Sequence, residues 1–157
     1  MTKIISILRP LSACALMLFL TACVSASGPT FSQAQASVAP VAADQGRIFF
    51  YRDSSSYGWA VFYFIDIDDA PVDGLWSSGC FFVDKPPGAY KITTRATQEW
   101  VVGGDVTVTL AAGETKYIRT DRSGFWVTRV LPIIIDPQQA SKEIADCHLH
   151  SPMQWSH

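Results

Sequence analysis

The 157 residues carry 12 Lys and Arg against 14 Asp and Glu, for a formal net charge of −2, and 48% of them are hydrophobic. That length suits a single domain with a real core. The slightly acidic balance argues against nucleic acid as a partner.

Residues 1–22 read as an export signal rather than as part of a fold. Lys3 and Arg9 precede the apolar stretch Leu11 to Leu20, which ends in Leu20-Thr21-Ala22-Cys23. A membrane-spanning anchor needs about 20 continuous apolar residues, and Pro10, Ser12 and Thr21 interrupt this stretch. The alternative is an ordinary secretory signal with a coincidental cysteine. Leu-Thr-Ala-Cys resembles the lipobox of bacterial lipoproteins, in which small residues admit the peptidase to the bond before a lipid-modified cysteine. The resemblance implies cleavage before Cys23, acylation of Cys23 and attachment to a lipid bilayer. Each buried methylene contributes about 0.8 kcal/mol and two chains suffice for stable anchoring, so the three chains of such an anchor imply permanent attachment. Val24 stands where retained lipoproteins carry aspartate, which implies the outer membrane, facing the periplasm. The leader holds two of the basic residues and none of the acids, so its removal leaves the chain more acidic.

Residues 23–45 form the lipidated cysteine and a Ser, Ala, Gln and Pro stretch with one aromatic, expected to be a flexible tether. A coil of this length spans about 25 Å on average and about 70 Å when extended. From Gly46 the pattern changes to short apolar runs broken by Gly, Pro and Asp, which predicts strands at 47–52, 60–66, 72–76, 80–84, 89–96, 105–110, 115–120 and 125–133. Val106, Val108 and Leu110 alternate with Thr107 and Thr109, the period of a half-buried antiparallel strand. Pro86-Pro87-Gly88 and Ala111-Ala112-Gly113-Glu114 supply turns. Residues 46–150 are therefore expected to form a mainly β domain, an antiparallel β-sandwich (Ig-like or transthyretin-like) of about seven or eight strands. One C-terminal helix follows, because Asp136-Pro137-Gln138-Gln139 offers an N-cap, a first-turn proline and a glutamine three residues on. Ala140, Ile144 and Cys147 share a face that should lie on the sandwich. Residues 151–157 are a tail.

Gly46-Arg47-Ile48-Phe49-Phe50-Tyr51-Arg52, then Phe82-Val83-Asp84-Lys85-Pro86-Pro87-Gly88-Ala89-Tyr90, then Leu110-Ala111-Ala112-Gly113-Glu114-Thr115-Lys116-Tyr117-Ile118-Arg119 together resemble the bacterial lipoprotein family catalogued as domain of unknown function 2846. Its members begin with a Phe-Tyr-Arg strand, continue into a Pro-Gly hairpin and carry an Ala-Gly-x-Thr-x-Tyr segment. The resemblance spans residues 46–149 and implies an envelope-facing β-sandwich with no catalytic residues to carry over. The chain departs from the pattern at residues 67–73, where members have a short Asp-Gly hairpin.

Of the four cysteines, Cys14 leaves with the signal and Cys23 is acylated, so Cys80 and Cys147 remain. Two arrangements fit them: a disulfide, which in an oxidising compartment would close a loop worth roughly 4 kcal/mol, or two separately buried thiols. Cys147, His148, His150, Met153 and His157 are soft metal-ligand types, but their spacing fits no closed zinc pattern and no second cluster accompanies them, so neither a metal nor another cofactor is expected. Asp66, Asp68, Asp69 and Asp73 fail the EF-hand template at Pro71 and Ser77 and read as a solvated loop. The histidines all fall in the last ten residues, and no nucleophile-elbow, zincin or phosphate-loop motif is present. A non-enzyme is expected, with Asp84 and Asp121 the candidate pair were acids to assemble in space.

Among five tryptophans, Trp100 sits in Gln98-Glu99-Trp100-Val101-Val102-Gly103-Gly104, between strands. Two readings are open: a contact surface for protein, peptidoglycan or glycan, or a loop tip folded back as a cap. The sequence thus points to a membrane-anchored envelope lipoprotein acting as an interaction or assembly module, or to a periplasmic module that binds glycan or peptide through exposed aromatics.

Overall fold

The computed structural model describes residues 26–54, 58–124 and 128–151. The signal segment, the acylation site Cys23, Trp126, Trp155 and the tail from Pro152 lie outside the described residues.

The domain is a β-sandwich with a third, partly helical layer. Strands β1 (Gly46–Tyr51), β4 (Gly79–Lys85), β8 (Thr115–Ser123) and β9 (Arg129–Ile135), with the two-residue strands β6 (Val102–Gly103) and β10 (His148–Leu149), form a six-stranded sheet in the order β10-β4-β1-β8-β9-β6. Strands β2 (Tyr63–Ile67), β3 (Ala70–Leu75), β5 (Gly88–Ala96) and β7 (Asp105–Leu110) form the second, in the order β3-β2-β5-β7. Among the described residues ten strands stand where seven or eight were expected, and the two extra ones are the two-residue strands β6 and β10. The large sheet is mixed, since β1 pairs with β8 in parallel. A parallel partner requires a long crossover, and here the second sheet supplies it.

Between the sheets, Ile48 and Phe50 of β1, Phe81 of β4 and Ile118 of β8 meet Ile65, Ile67, Leu75, Ile92, Val108 and Leu110. Phe50 and Phe81 stack at 5.0 Å. Several predicted boundaries move: β3 runs from Ala70 to Leu75 rather than over 72–76, and β8 continues to Ser123 rather than ending at Thr120. The strand predicted from Ala60 begins at Tyr63, because Arg52 donates to the Gly58 and Val61 carbonyls (2.6 and 2.5 Å) and holds those residues as a turn. The strand predicted at 125–133 runs on to Ile135, its first three residues lying outside the described set. Asp68 and Asp69 both have positive φ (51° and 64°) and close the β2–β3 hairpin as a two-residue turn, the geometry an Asp-Gly pair would adopt more cheaply.

Strand β1 is buried along all six residues, so its outward face also needs cover. Phe49 and Tyr51 project there into a second cluster with Cys80, Ile135, Ala140, Ile144 and Cys147. Helix α2 (Pro137–Glu143) supplies part of the cover, with Asp136 accepting from the Gln138 and Gln139 amides as N-cap. Ala140, Ile144 and Cys147 are buried as their spacing predicts. Cys80 and Cys147 are joined (S–S 2.12 Å, Cα–Cα 5.7 Å), which ties the segment after α2 to β4.

The rest of the cover corrects the sequence reading. Residues 26–45 are not a free tether but a strap across the outer face of the large sheet. Ala26 donates its amide to the Ser77 carbonyl, and Phe31 and Ser32 donate to the carbonyls of Cys147 and Ala145. Thr30 and Gln33 form a capping box around the single-turn helix α1 (Phe31–Ala34). Phe31, the one aromatic of the strap, meets Phe49 edge-on at 5.0 Å. Farther along, Arg47 donates to the Ala39 carbonyl (3.0 Å) while clamping Asp84 through two bonds of 2.7 and 2.8 Å. The strap belongs to the domain because an aromatic sheet face cannot be left to water.

Phe31→Ala should lower the urea unfolding free energy by about 1–3 kcal/mol, for a partly buried aromatic lost from a packed contact. A free tether would give no change, so an unaltered urea midpoint would contradict the docked strap.

Candidate functional site

The strand registers bring several loops to one end of the sandwich. Tyr51 lies opposite Cys80, Tyr63 opposite both Leu75 and Ala96, and Ser123 opposite Arg129. The turns after β1, β3, β5 and β8 therefore share this end, and Trp59, Trp76 and Trp100 come with them. Trp100 is 62% exposed and Trp59 46%. Trp100 is therefore not folded back as a cap, and its ring is open to solvent. Its neighbour Val101 is the inward anchor, packed with Tyr63 and Val130.

Arg52 organises this end. It is 4% exposed, stacks over the Tyr63 ring at 3.7 Å and also reaches the Leu75 carbonyl (3.4 Å). Burial pulls its pKa below the usual range, opposed by Tyr63. A buried cation is tolerable when its donors are matched, and these carbonyls belong to the loop after β1 and to the end of β3.

Beside it lies a cleft of about 260 Å³ lined by Ala26, Ser27, Phe62, Asp73, Gly74, Trp76 and His150. Phe62 packs against Trp76 and Phe64, each at 5.0 Å. It lies directly over Gly74, where a β-carbon would collide with the ring. The polar wall is Asp73, 1% exposed, whose carboxylate accepts from the Gly74 amide (2.7 Å) and meets His150 Nε2 at 3.2 Å. This pair, 77 positions apart, links β3 of one sheet to the residue after β10 of the other. Aromatic faces beside a carboxylate and an imidazole suit a small ligand with an apolar side and a few hydroxyl or amino groups. A second opening, lined by residues including Arg52, Asp53, Ser78, Glu143 and Asp146, is more polar. Burial pushes the Asp53 carboxyl up against the opposing pull of Arg119.

The other candidates from the sequence fall in different places. Cys23 lies outside the described residues, and Cys80 and Cys147 form the disulfide. In the C-terminal ligand-type cluster, Cys147 is thereby used, His148 Nδ1 meets the Gly28 carbonyl at 2.8 Å and His150 pairs with Asp73; Met153 and His157 lie outside the described residues. The acidic run is dispersed: Asp66 takes a two-bond clamp from Arg95, Asp68 and Asp69 make the turn, and Asp73 lines the cleft. Asp84 and Asp121 are not brought together. Asp84 pairs with Arg47 near the start of β1, and Asp121 accepts two bonds (2.6 and 2.8 Å) from Arg119 near the opposite end. Phe62 was missed by the sequence reading, Arg52 figured there only as the end of the first strand, and His150 only as a metal-ligand type rather than as the partner of Asp73. A tryptophan density is visible in sequence, whereas a pair linking β3 to the chain's end is not.

No family model matches the chain, and no curated protein matches it.

Arg119 also donates to both oxygens of Glu143 (2.9 and 2.8 Å), and Glu143 accepts from the Tyr51 hydroxyl (2.6 Å) and Gln139. This network fastens α2 to the sheet. Burial raises the Glu143 pKa, but the bonds from Tyr51, Gln139 and Arg119 outweigh it and hold the carboxyl below its ordinary value of 4.5. A carboxylate held low in the folded chain contributes its full stabilisation above that unfolded value and loses it as pH falls through the lower folded one. Glu143→Gln should therefore cost about 1–3 kcal/mol near neutral pH and make the variant less sensitive than the wild type to acidification below about pH 4.5. Urea melts at neutral and acidic pH measure this, and equal losses on acidification in both proteins would contradict it.

Proposed function

We propose that this protein is a bacterial envelope lipoprotein of the family catalogued as domain of unknown function 2846, anchored in the outer membrane by acylated Cys23 and acting by binding rather than catalysis. The observation that carries the reading is Leu20-Thr21-Ala22-Cys23 at the end of an export-type leader. The exposed tryptophans at one end of the sandwich support a contact role for that end. The binding reading also fits the engagement of Asp84 and Asp121 by arginines. Cells fed an alkyne fatty acid should incorporate it into the wild-type chain, while Cys23→Ser should lose both the label and membrane fractionation. Equal labelling of the two would sink the proposal.

The cleft between Phe62, Trp76, Asp73 and His150 favours a second reading, a module that binds glycan or peptide. Tryptophan fluorescence of the mature protein should then respond to peptidoglycan fragments or oligosaccharides, and Trp76→Ala should weaken that response about tenfold, as expected for an aromatic hot spot. Silence across a broad panel would remove this reading.

A further inference from the structure

We infer that the tryptophan-bearing end of the sandwich is seated directly on the bilayer, with Trp59 and Trp100 entering the headgroup layer. The inference rests on the lipoprotein reading of Cys23 and adds to it an orientation and a protein–lipid contact surface.

The length of the leash decides the geometry. A tether of residues 23–45 would let the domain roam, but the strap is docked from Ala26 onward, where the amide is bonded to Ser77 and the Cβ packs at the site of Gly79. Only three peptide units separate Cys23 from Ala26, a reach of about 10 Å at full extension. Ser77 lies in the β3–β4 turn, at the same end as the loops of Trp59 and Trp100. The strap then runs away from this end, from Ser77 past Phe49 to Arg47, so the acylated cysteine is returned to the tryptophan end rather than to the other.

The surface chemistry agrees. Tryptophan partitions to the membrane interface because its ring is apolar while its indole N–H bonds to headgroups and water. Trp59 and Trp100, with Val102, are three of the five exposed large apolar side chains among the described residues; the remaining two, Ile133 and Ile134, lie along the β9 edge. The turns at the far end instead carry charged side chains, Asp44, Asp68, Asp136 and the pairs Asp69–Lys91 and Glu114–Lys116, and none of the five exposed large apolar ones, so that end keeps to water. A sandwich about six to nine residues long places that acidic end roughly 20–30 Å farther out, beyond the screening length of physiological salt, about 8 Å.

The test uses the mature acylated protein in vesicles of phosphatidylethanolamine and phosphatidylglycerol. A benzophenone amino acid replaces Trp59, Trp100 or Lys91 in turn; Lys91 is exposed beside the Asp68–Asp69 turn. After irradiation, mass spectrometry should find phospholipid adducts at positions 59 and 100 in about tenfold excess over position 91, as expected for side chains inside and outside the interface. Equal adducts at all three positions, or none at 59 and 100, would overturn the seating. So would adducts joining two copies of the chain at position 100, or, when the same variants are irradiated in cells, adducts there dominated by another polypeptide. The mass of the N-terminal peptide separates the two claims: an unmodified Cys23 removes both, whereas an acylated Cys23 without lipid adducts removes only the seating.

Discussion

The constraint on which the structure depends is that the large sheet is apolar on both faces. Ile48 and Phe50 fill the space between the sheets, while Phe49 and Tyr51 of the same strand point the other way, and all four are at most 2% exposed. Two sheets alone would leave Phe49, Tyr51, Phe82 and Tyr117 in water. Burying an aromatic side chain contributes on the order of 2–3 kcal/mol, enough to recruit chain from outside the sandwich. The strap comes from the N-terminal side and α2 from the C-terminal side, and they meet over Phe49, with Phe31 bonded through its amide to the Cys147 carbonyl. The disulfide locks this layer to β4. In the loop-entropy model its 67-residue separation is worth about 4 kcal/mol, a large share of the stability of an ordinary domain.

The arginines divide the work of holding non-sandwich segments in place. Arg47 joins the strap at Ala39 to β4 at Asp84, Arg119 joins α2 at Glu143 to β8 at Asp121, and Arg52 gathers the turn from Gly58 to Val61. Each is largely withdrawn from water, so losing one partner would leave a charge poorly compensated and cost more than a surface pair. The planar guanidinium suits this use, because its fork meets a carboxylate or several carbonyls at fixed angles. Apolar burial makes the layers stick, and these forks fix where the layers sit.

The position of the strap links packing to function. A sandwich on a loose tether could meet partners in any orientation, whereas a strap docked from Ala26 at the tryptophan end would, on the proposed anchoring, give the domain a defined bottom. The cleft lined by Ala26, Trp76, Asp73 and His150 opens at that same end. On the proposed anchoring at Cys23, a ligand there would be met close to the attachment point, and the acidic turns would face away from the bilayer.

Much of this architecture is written locally. The alternating Val106, Val108 and Leu110 marked β7 to the residue and Asp136-Pro137 marked the start of α2, whereas the apolar run Ile48-Phe49-Phe50-Tyr51 was legible as a strand but its cover on both faces was not drawn from it. Thr30-Phe31-Ser32-Gln33 also carried a capping-box signal, but the polar, uncharged composition around it read as tether. That composition describes how the segment behaves alone, where one aromatic cannot offset the entropy of ordering twenty residues. Only the folded chain decides otherwise, because it presents Phe49 and the Ala145 and Cys147 carbonyls as a ready-made dock. The same holds for the Asp73–His150 pair, the pairing of Cys80 with Cys147 and the gathering of Trp59, Trp76 and Trp100. The sequence determined the eight longer strands, where α2 starts and which side chains are apolar, since these depend on neighbours a few residues away, while the two-residue strands β6 and β10 and the single-turn α1 depend on what they dock against. The tertiary structure alone decided which distant residues meet, because register and layer order are set by the competition to bury both faces of one sheet.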